Sequence, residues 1–185
     1  VKPHIVGLAA MSFQFDTAML IAKLIKTTNP AIKIAIGGFH ATMTYDEIAE
    51  SDDARHLDFI FRGEGDLAFN ELVNLLDRGE ALDEVRGLSH KVDGTFVHNE
   101  ARPLEDLSKL KLPNRSVRLW KGYHAFGRPY DVIETSRGCV LDCSFCSIRQ
   151  MYGKSFRKYD ITRVISDIAE AKRAGATSLF IADDN

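Results

Sequence analysis

The sequence predicts an α/β protein: a Rossmann-like parallel sheet, a β-hairpin, and then one further strand–helix–strand unit. Three observations carry this. Short apolar runs alternate with amphipathic stretches through residues 1–80, the pattern of a parallel sheet covered by helices. Asp93-Gly94 separates two strand-like runs, a strong short-range hairpin signal. Beyond residue 130 the strand–helix–strand alternation resumes.

In order, Val1 already enters a strand, and Ile5-Val6-Gly7-Leu8-Ala9-Ala10 is an apolar run of the kind buried on both faces. Asp16 is the expected N-cap of a helix whose apolar face is Ala18, Ile21, Ala22 and Ile25, ended by Asn29-Pro30. Ile32–Ile36 reads as a second strand. Thr44 with Glu47 reads as a capping box opening a short helix. Phe59-Ile60-Phe61 is a third strand, and an amphipathic helix from Asp66 to Leu76 closes at Gly79.

In a parallel sheet, ligands bind beyond the carboxyl ends of the strands. Three stretches lie there: Met11-Ser12-Phe13-Gln14, Gly37-Gly38-Phe39-His40 and Gly63-Glu64-Gly65. Glycines allow a ligand close to the backbone. By itself, Gly-Gly after a strand is more often a tight turn, and a lone His40 more often a surface or capping residue.

Residues 81–130 are expected to form a structured linker. It holds the hairpin around Asp93-Gly94 and a short helical turn at Asp106–Leu110. Trp120, Tyr123, Phe126 and Tyr130 read as packing residues at a domain junction, with a substrate cavity as the other reading. Tyr130–Thr135 is then a strand. Asp160 caps a helix with Ile161, Val164, Ile165 and Ile168 on one face, ended by Gly175, and Ser178–Ala182 is the next strand.

The chain has 185 residues, 45% hydrophobic and 27% charged, with net charge −2. That balance is ordinary for a globular protein and gives no electrostatic case for nucleic acid. No apolar run approaches the roughly 20 residues of a membrane span. The chain reads as an internal fragment, since it starts and stops at strands.

All three cysteines, Cys139, Cys143 and Cys146, fall within eight residues as CxxxCxxC. An odd number without signs of secretion argues against a disulfide and for a reducing cytosol. Three thiolates form a ligand set for a soft metal or an iron–sulfur cluster. A closed zinc site uses four ligands, and the nearest histidine, His124, is fifteen residues upstream. Three ligands instead leave one position open, as in a site-differentiated 4Fe–4S cluster.

This pattern, with the aromatic Phe145 before the last cysteine, resembles the radical S-adenosylmethionine (radical SAM) enzymes. Glu134-Thr135-Ser136-Arg137-Gly138-Cys139 and Asp183-Asp184-Asn185 resemble segments of the cobalamin-dependent branch, which includes anaerobic magnesium-protoporphyrin IX monomethyl ester cyclase-like proteins. The stretches around residues 6–16, 35–42 and 58–66 resemble the later part of its cobalamin-binding domain.

The resemblance implies several expectations. Cys139, Cys143 and Cys146 would ligate a 4Fe–4S cluster. Phe145, Asp183, Asp184 and Asn185 would contact S-adenosylmethionine. Ser12, Phe13, Gly37, Gly38, His40, Gly63, Glu64 and Gly65 would contact cobalamin, on the C-terminal edge of the sheet. The sequence lacks the Asp-x-His-x-x-Gly motif of proteins that supply a histidine to cobalt. Residues 1–80 would be part of the cobalamin domain, 81–130 a linker, and 131–185 the first βαβ unit of a partial TIM-type barrel. Such a barrel takes about 200–250 residues, and 55 follow Tyr130.

The implied activity is radical cleavage of S-adenosylmethionine for methyl transfer to an unactivated carbon of a small molecule. The alternatives are oxidative cyclisation of a tetrapyrrole and a non-catalytic cobalamin-binding module. The fragment alone is expected to be inactive. The partner implied is an electron donor such as flavodoxin or ferredoxin. Unpaired sheet edges are expected to invite association. A methylthiotransferase would carry further cysteines in its first domain, and this chain has none there.

Overall fold

The computed structural model describes residues 2–185, so the expectation for Val1 lies outside the described residues. The chain forms two compact units, Val1–Leu104 and Glu105–Asn185.

The first unit is one five-stranded sheet. Strands β1 (Ile5–Ala9), β2 (Lys33–Gly37) and β3 (Phe59–Phe61) run parallel in that order, and β4 (Leu88–Val92) and β5 (Thr95–His98) extend the sheet antiparallel. Helices α1 (Phe15–Thr28) and α2 (Phe39–Glu50) make the parallel crossovers, and α3 (Gly65–Arg78) leads into the antiparallel part.

The strand period of two divides the core. Ile34, Ile36 and Ile60 pack with Ala18, Met19 and Ala22 of α1 and with Ala41 and Ile48 of α2. On the opposite face Ala35, Phe59 and Phe61 pack with Ala68 and Leu72 of α3. Burial on both faces is the reason these strands read as unbroken apolar runs.

Three local expectations change. The hairpin around Asp93-Gly94 forms, with φ of 51° and 84° at the two turn residues. It is the edge of the first sheet, with Phe61 opposite Leu88, and the boundary between units falls after Leu104. An isolated hairpin is marginal in water; burying Leu88, Ser89 and His90 against β3 stabilises this one. Helix α2 starts at Phe39 instead of Thr44. Thr44 lies at a kink inside it, φ −129°, and its hydroxyl donates to the His40 carbonyl at 2.9 Å. In α1 a 3₁₀ turn at Ser12–Gln14 comes first and Asp16 falls in the first helical turn, without capping it.

In the second unit β6 (His124–Ala125) and β7 (Arg128–Ile133) form a tight antiparallel pair, and β10 (Ser178–Ile181) lies parallel to β7 on its other side. Between β7 and β10 come β8 (Ser136–Cys139), α4 (Ile148–Tyr152), β9 (Ser155–Lys158) and α5 (Ile161–Arg173), with β8 and β9 antiparallel. Asp160 caps α5 as expected, accepting from the Thr162 N–H at 2.8 Å.

The buried face of α5 is Val164, Asp167 and Ala171, whereas Ile161 and Ile165 are 67% and 59% exposed. Ile168 of the expected face is exposed as well, and the buried Asp167 is ion-paired: Arg115 Nη1 donates to its carboxylate at 2.6 Å. Leu179, Phe180 and Ile181 of the edge strand β10 are likewise exposed. Among the described residues no helix is long and apolar enough to cross a membrane.

Candidate functional site

Each unit gathers one set of the residues singled out in the sequence. In the first, parallel β1, β2 and β3 deliver three segments to one edge of the sheet, and backbone bonds lock two of them together. Ala10 N–H donates to the Gly37 carbonyl at 3.1 Å, and His40 N–H donates to the Ala10 carbonyl at 3.2 Å. Gly38 sits at φ +90°, and a Cβ there would fall 2.9 Å from Ala10 N and O. Only glycine fits both the conformation and the close approach.

His40 Nδ1 lies 3.2 Å from Ser12 Oγ, and its ring centroid is 4.2 Å from that of Phe15. Phe13 is exposed and Glu64 is buried. The space where a Cβ of Gly63 or Gly65 would lie is open to 4 Å.

The residue that joins the third segment was not singled out in the sequence. Thr42 Oγ1 donates to the Gly38 carbonyl at 2.8 Å and accepts from the Gly63 N–H at 3.0 Å. It lies within the stretch that carried the resemblance, but a threonine two residues after a histidine has no pattern of its own.

In the second unit the cysteines occupy the excursion between β8 and β9. Cys139 ends β8 opposite Ser155. Cys146 N–H donates to the Cys143 carbonyl at 3.1 Å, forming a turn, and Leu141 N–H approaches Cys139 Sγ at 3.4 Å. Cys143 is exposed, Cys139 and Cys146 are half-buried, and Phe145 is 91% exposed. Asp142 pairs with Arg149, and with Lys154 at 3.4 Å.

Among the described residues no three His, Cys, Asp or Glu side chains converge on a single-ion site. A cluster makes a different demand, since its cysteines ligate separate irons. Three thiols on one accessible loop, without a fourth protein donor, have the donor chemistry of an iron–sulfur centre.

The approach to this loop is tightly held. Gly138 has φ +86°, and a Cβ there would sit 2.3 Å from the Ser155 carbonyl oxygen. Gly138→Ala is therefore expected to force β8 from β9 and to cost about 1–3 kcal/mol of backbone strain. Lost amide protection in β8 and β9 on hydrogen exchange checks this. Arg137 donates to Glu134 Oε2 through Nε at 3.1 Å and Nη2 at 3.0 Å, and Tyr159 Oη donates to the same oxygen at 3.2 Å. The Arg163 guanidinium lies 3.9 Å from the Tyr159 ring centroid. Burial, joined by the Glu134 charge, pushes the Tyr159 phenol well above its ordinary value.

Asp183 and Asp184 emerge from β10 and turn onto this same stretch. Asp183 accepts from Thr135 N–H at 2.7 Å, Ser136 N–H at 3.1 Å, Ser136 Oγ at 2.9 Å and the Thr135 hydroxyl. Burial raises its pKa, but these hydrogen bonds outweigh that effect and hold it below the ordinary value. Asp184 Oδ2 accepts from Gly138 N–H at 2.7 Å. Asn185 is exposed.

A cavity of about 500 Å³ lies elsewhere in this unit, lined in part by Arg118, Lys121, Tyr123, Tyr130 and Arg173, and no cysteine borders it. Trp120 and Phe126, read as packing residues, are exposed. Of the basic residues after the cysteines, Arg149 and Lys154 pair with Asp142, and Arg157 donates to the Glu105 carbonyl at 2.8 Å.

Comparisons with known proteins show what the chain is similar to. Residues 1–73 match the B12 binding domain family. An uncharacterized methyltransferase of Pyrococcus horikoshii is 34% identical over 168 residues, covering 90% of this chain and 36% of that protein. The anaerobic magnesium-protoporphyrin IX monomethyl ester cyclase of Rubrivivax gelatinosus is 29% identical over 190 residues, covering 99% and 34%. The chain thus spans about a third of the length of these relatives. In fold it is similar to the radical S-adenosylmethionine methyltransferase TsrM from Kitasatospora setae, solved with cobalamin and a [4Fe-4S] cluster bound. The TM-score is 0.74 at 16% identity, covering 100% of this chain and 38% of that one. A B12 binding domain at residues 1–73, a three-cysteine loop after it, and relatives that match across both parts place the chain in the cobalamin-dependent radical SAM enzyme family.

Proposed function

We propose that this chain is the part of a cobalamin-dependent radical SAM enzyme that holds its cofactors, and that the enzyme transfers a methyl group to an unactivated carbon. The observation that carries the reading is the exposed Cys139–Cys146 loop, three thiols without a fourth protein ligand, in a chain whose first 73 residues match a B12 binding domain. When bound, the cluster and S-adenosylmethionine supply a 5′-deoxyadenosyl radical, and the corrinoid supplies the methyl group.

The protein's part is placement. Cys139, Cys143 and Cys146 hold the cluster. Phe145 and Asn185, both exposed, offer surface to S-adenosylmethionine. The Ser12–Phe13, Gly37–His40 and Gly63–Gly65 segments form the corrinoid cradle, in which His40 is held by Ser12. Open space over Gly63 and Gly65 lets a flat ligand approach the backbone. The β7–α5–β10 unit is the first βαβ repeat of a barrel. Its cysteine excursion follows the C-terminal end of β7, the face where barrel enzymes carry chemistry. A cluster held there would need an electron donor such as flavodoxin or ferredoxin.

Oxidative ring closure is a second reading, favoured by the match to the Rubrivivax gelatinosus cyclase across 99% of the chain. Quantifying iron, zinc and corrinoid per chain in the full-length protein, purified without oxygen and supplied with iron, sulfide and cobalamin, tests the shared reading. About four irons with bound corrinoid are expected. Zinc without iron would overturn it.

A further inference from the structure

We infer that Asp183 and Asp184 are positioning residues for the cysteine loop, with Asp183 tying the strand that leads into Cys139 to the end of β10. The inference rests on the proposed cluster site.

A carboxylate offers about four lone-pair sites. Those of Asp183 are matched by four donors, the N–H groups and hydroxyls of Thr135 and Ser136. No acceptor capacity is left over for the ammonium group of a bound S-adenosylmethionine. Asp184 adds a bond to Gly138 N–H, one residue before the first cysteine. Together the two aspartates take three backbone N–H groups, those of Thr135, Ser136 and Gly138, from a stretch of four residues.

Those groups need an outside acceptor. The stretch leaves β7 and pairs with β9 on one side only, while Ser136 and Gly138 are buried. Buried backbone donors without a partner are costly. The pairing also links β10 to the loop over 46–48 residues of sequence. It sets the height and direction at which Cys139 leaves β8. Outer groups that orient metal ligands are commonly worth about 10–100-fold in metal affinity.

The test uses the full-length protein loaded with iron and sulfide, and reads two quantities separately. One is the rate at which a chelator extracts iron. The other is the S-adenosylmethionine concentration that half-saturates the change in the reduced cluster's electron paramagnetic resonance signal. Asp183→Ala is expected to speed extraction about 10–100-fold, with unchanged half-saturation in molecules that keep the cluster. Thr135→Val combined with Ser136→Ala leaves the carboxylate in place and removes two donors, and is expected to speed extraction as well.

Wild-type extraction rates in both variants would overturn the role, and a raised half-saturation in Asp183→Ala alone would make Asp183 a ligand of S-adenosylmethionine instead. Wild-type protein without iron would instead remove the proposed function itself. The two failures differ in whether the unaltered protein is loaded.

Discussion

The Cys143→Ala variant of the full-length protein is expected to form no 5′-deoxyadenosine and to retain little iron, while folding as the wild type does. The chain holds no fourth cysteine to substitute. The adjacent Asp142 offers hard oxygen in place of a soft thiolate, and Arg149 and Lys154 already occupy it. The Cys143 side chain is exposed, so its loss removes no packing, and surface changes of this kind stay within about 0.5 kcal/mol of stability. Iron content, 5′-deoxyadenosine yield and thermal unfolding measured together check it. Undiminished 5′-deoxyadenosine would refute the cluster assignment. Undiminished iron with no 5′-deoxyadenosine would move Cys143 from ligand to another catalytic duty.

Arg115→Ala is expected to lower the local stability of the second unit by about 3–5 kcal/mol, the usual cost of breaking a buried ion pair from one side. Arg115 Nε donates to Asp131 Oδ2 at 2.7 Å and Nη1 to Asp167 Oδ1 at 2.6 Å, and all three side chains are nearly inaccessible. Arg118 remains on Asp131 in the variant, through contacts of 2.9 and 3.0 Å. The group left uncompensated is then Asp167, whose side chain is 3% exposed. Arg118→Ala should cost less, because Asp131 keeps Arg115. Hydrogen exchange in α5 and β7 of the full-length protein measures both, and equal protection in the two variants would count against this ordering.

The same network carries an acid dependence. Burial raises the Asp131 pKa, but hydrogen bonds from Arg118, Arg115 and the Val132 N–H override it, lowering the value from 3.8 to about 2. Because the folded value is the lower one, the stabilisation is present above about pH 4 and is lost as the pH falls toward 2. In Arg115→Ala the Asp131 contribution should be smaller and its acid loss complete at a higher pH, since Asp131 has one cation fewer.

The elements most legible in the sequence were those fixed by short-range rules. The strands at Ile34 and Phe59 show as apolar runs because both faces are covered, whereas the edge strand at Ile5 is only partly buried. Asp93 and Gly94 must take positive φ, and few residue pairs do so readily. The three cysteines are legible because soft donors rarely cluster without a ligand, and the Gly38 turn because of its doublet. Less legible was where the hairpin docks. Its alternation marks a buried face, but a second sheet, a linker or the edge of the first sheet would all satisfy that face.

The sequence by itself determined the α/β class, the parallel strands, the hairpin turn and the clustering of three soft donors in one loop, since each depends on neighbours within a few residues. The tertiary structure alone decided which charges are buried and what they hold. Asp167 can lie in the core because Arg115, 52 residues away, neutralises it. Asp183 becomes a brace only because β10 lies parallel to β7 and brings the carboxylate to Thr135 and Ser136. Thr42 likewise links two loops only once β2 and β3 are adjacent. The physical reason is the cost of an uncompensated buried charge or donor: it is set by partners distant in the chain, and local composition carries no record of them.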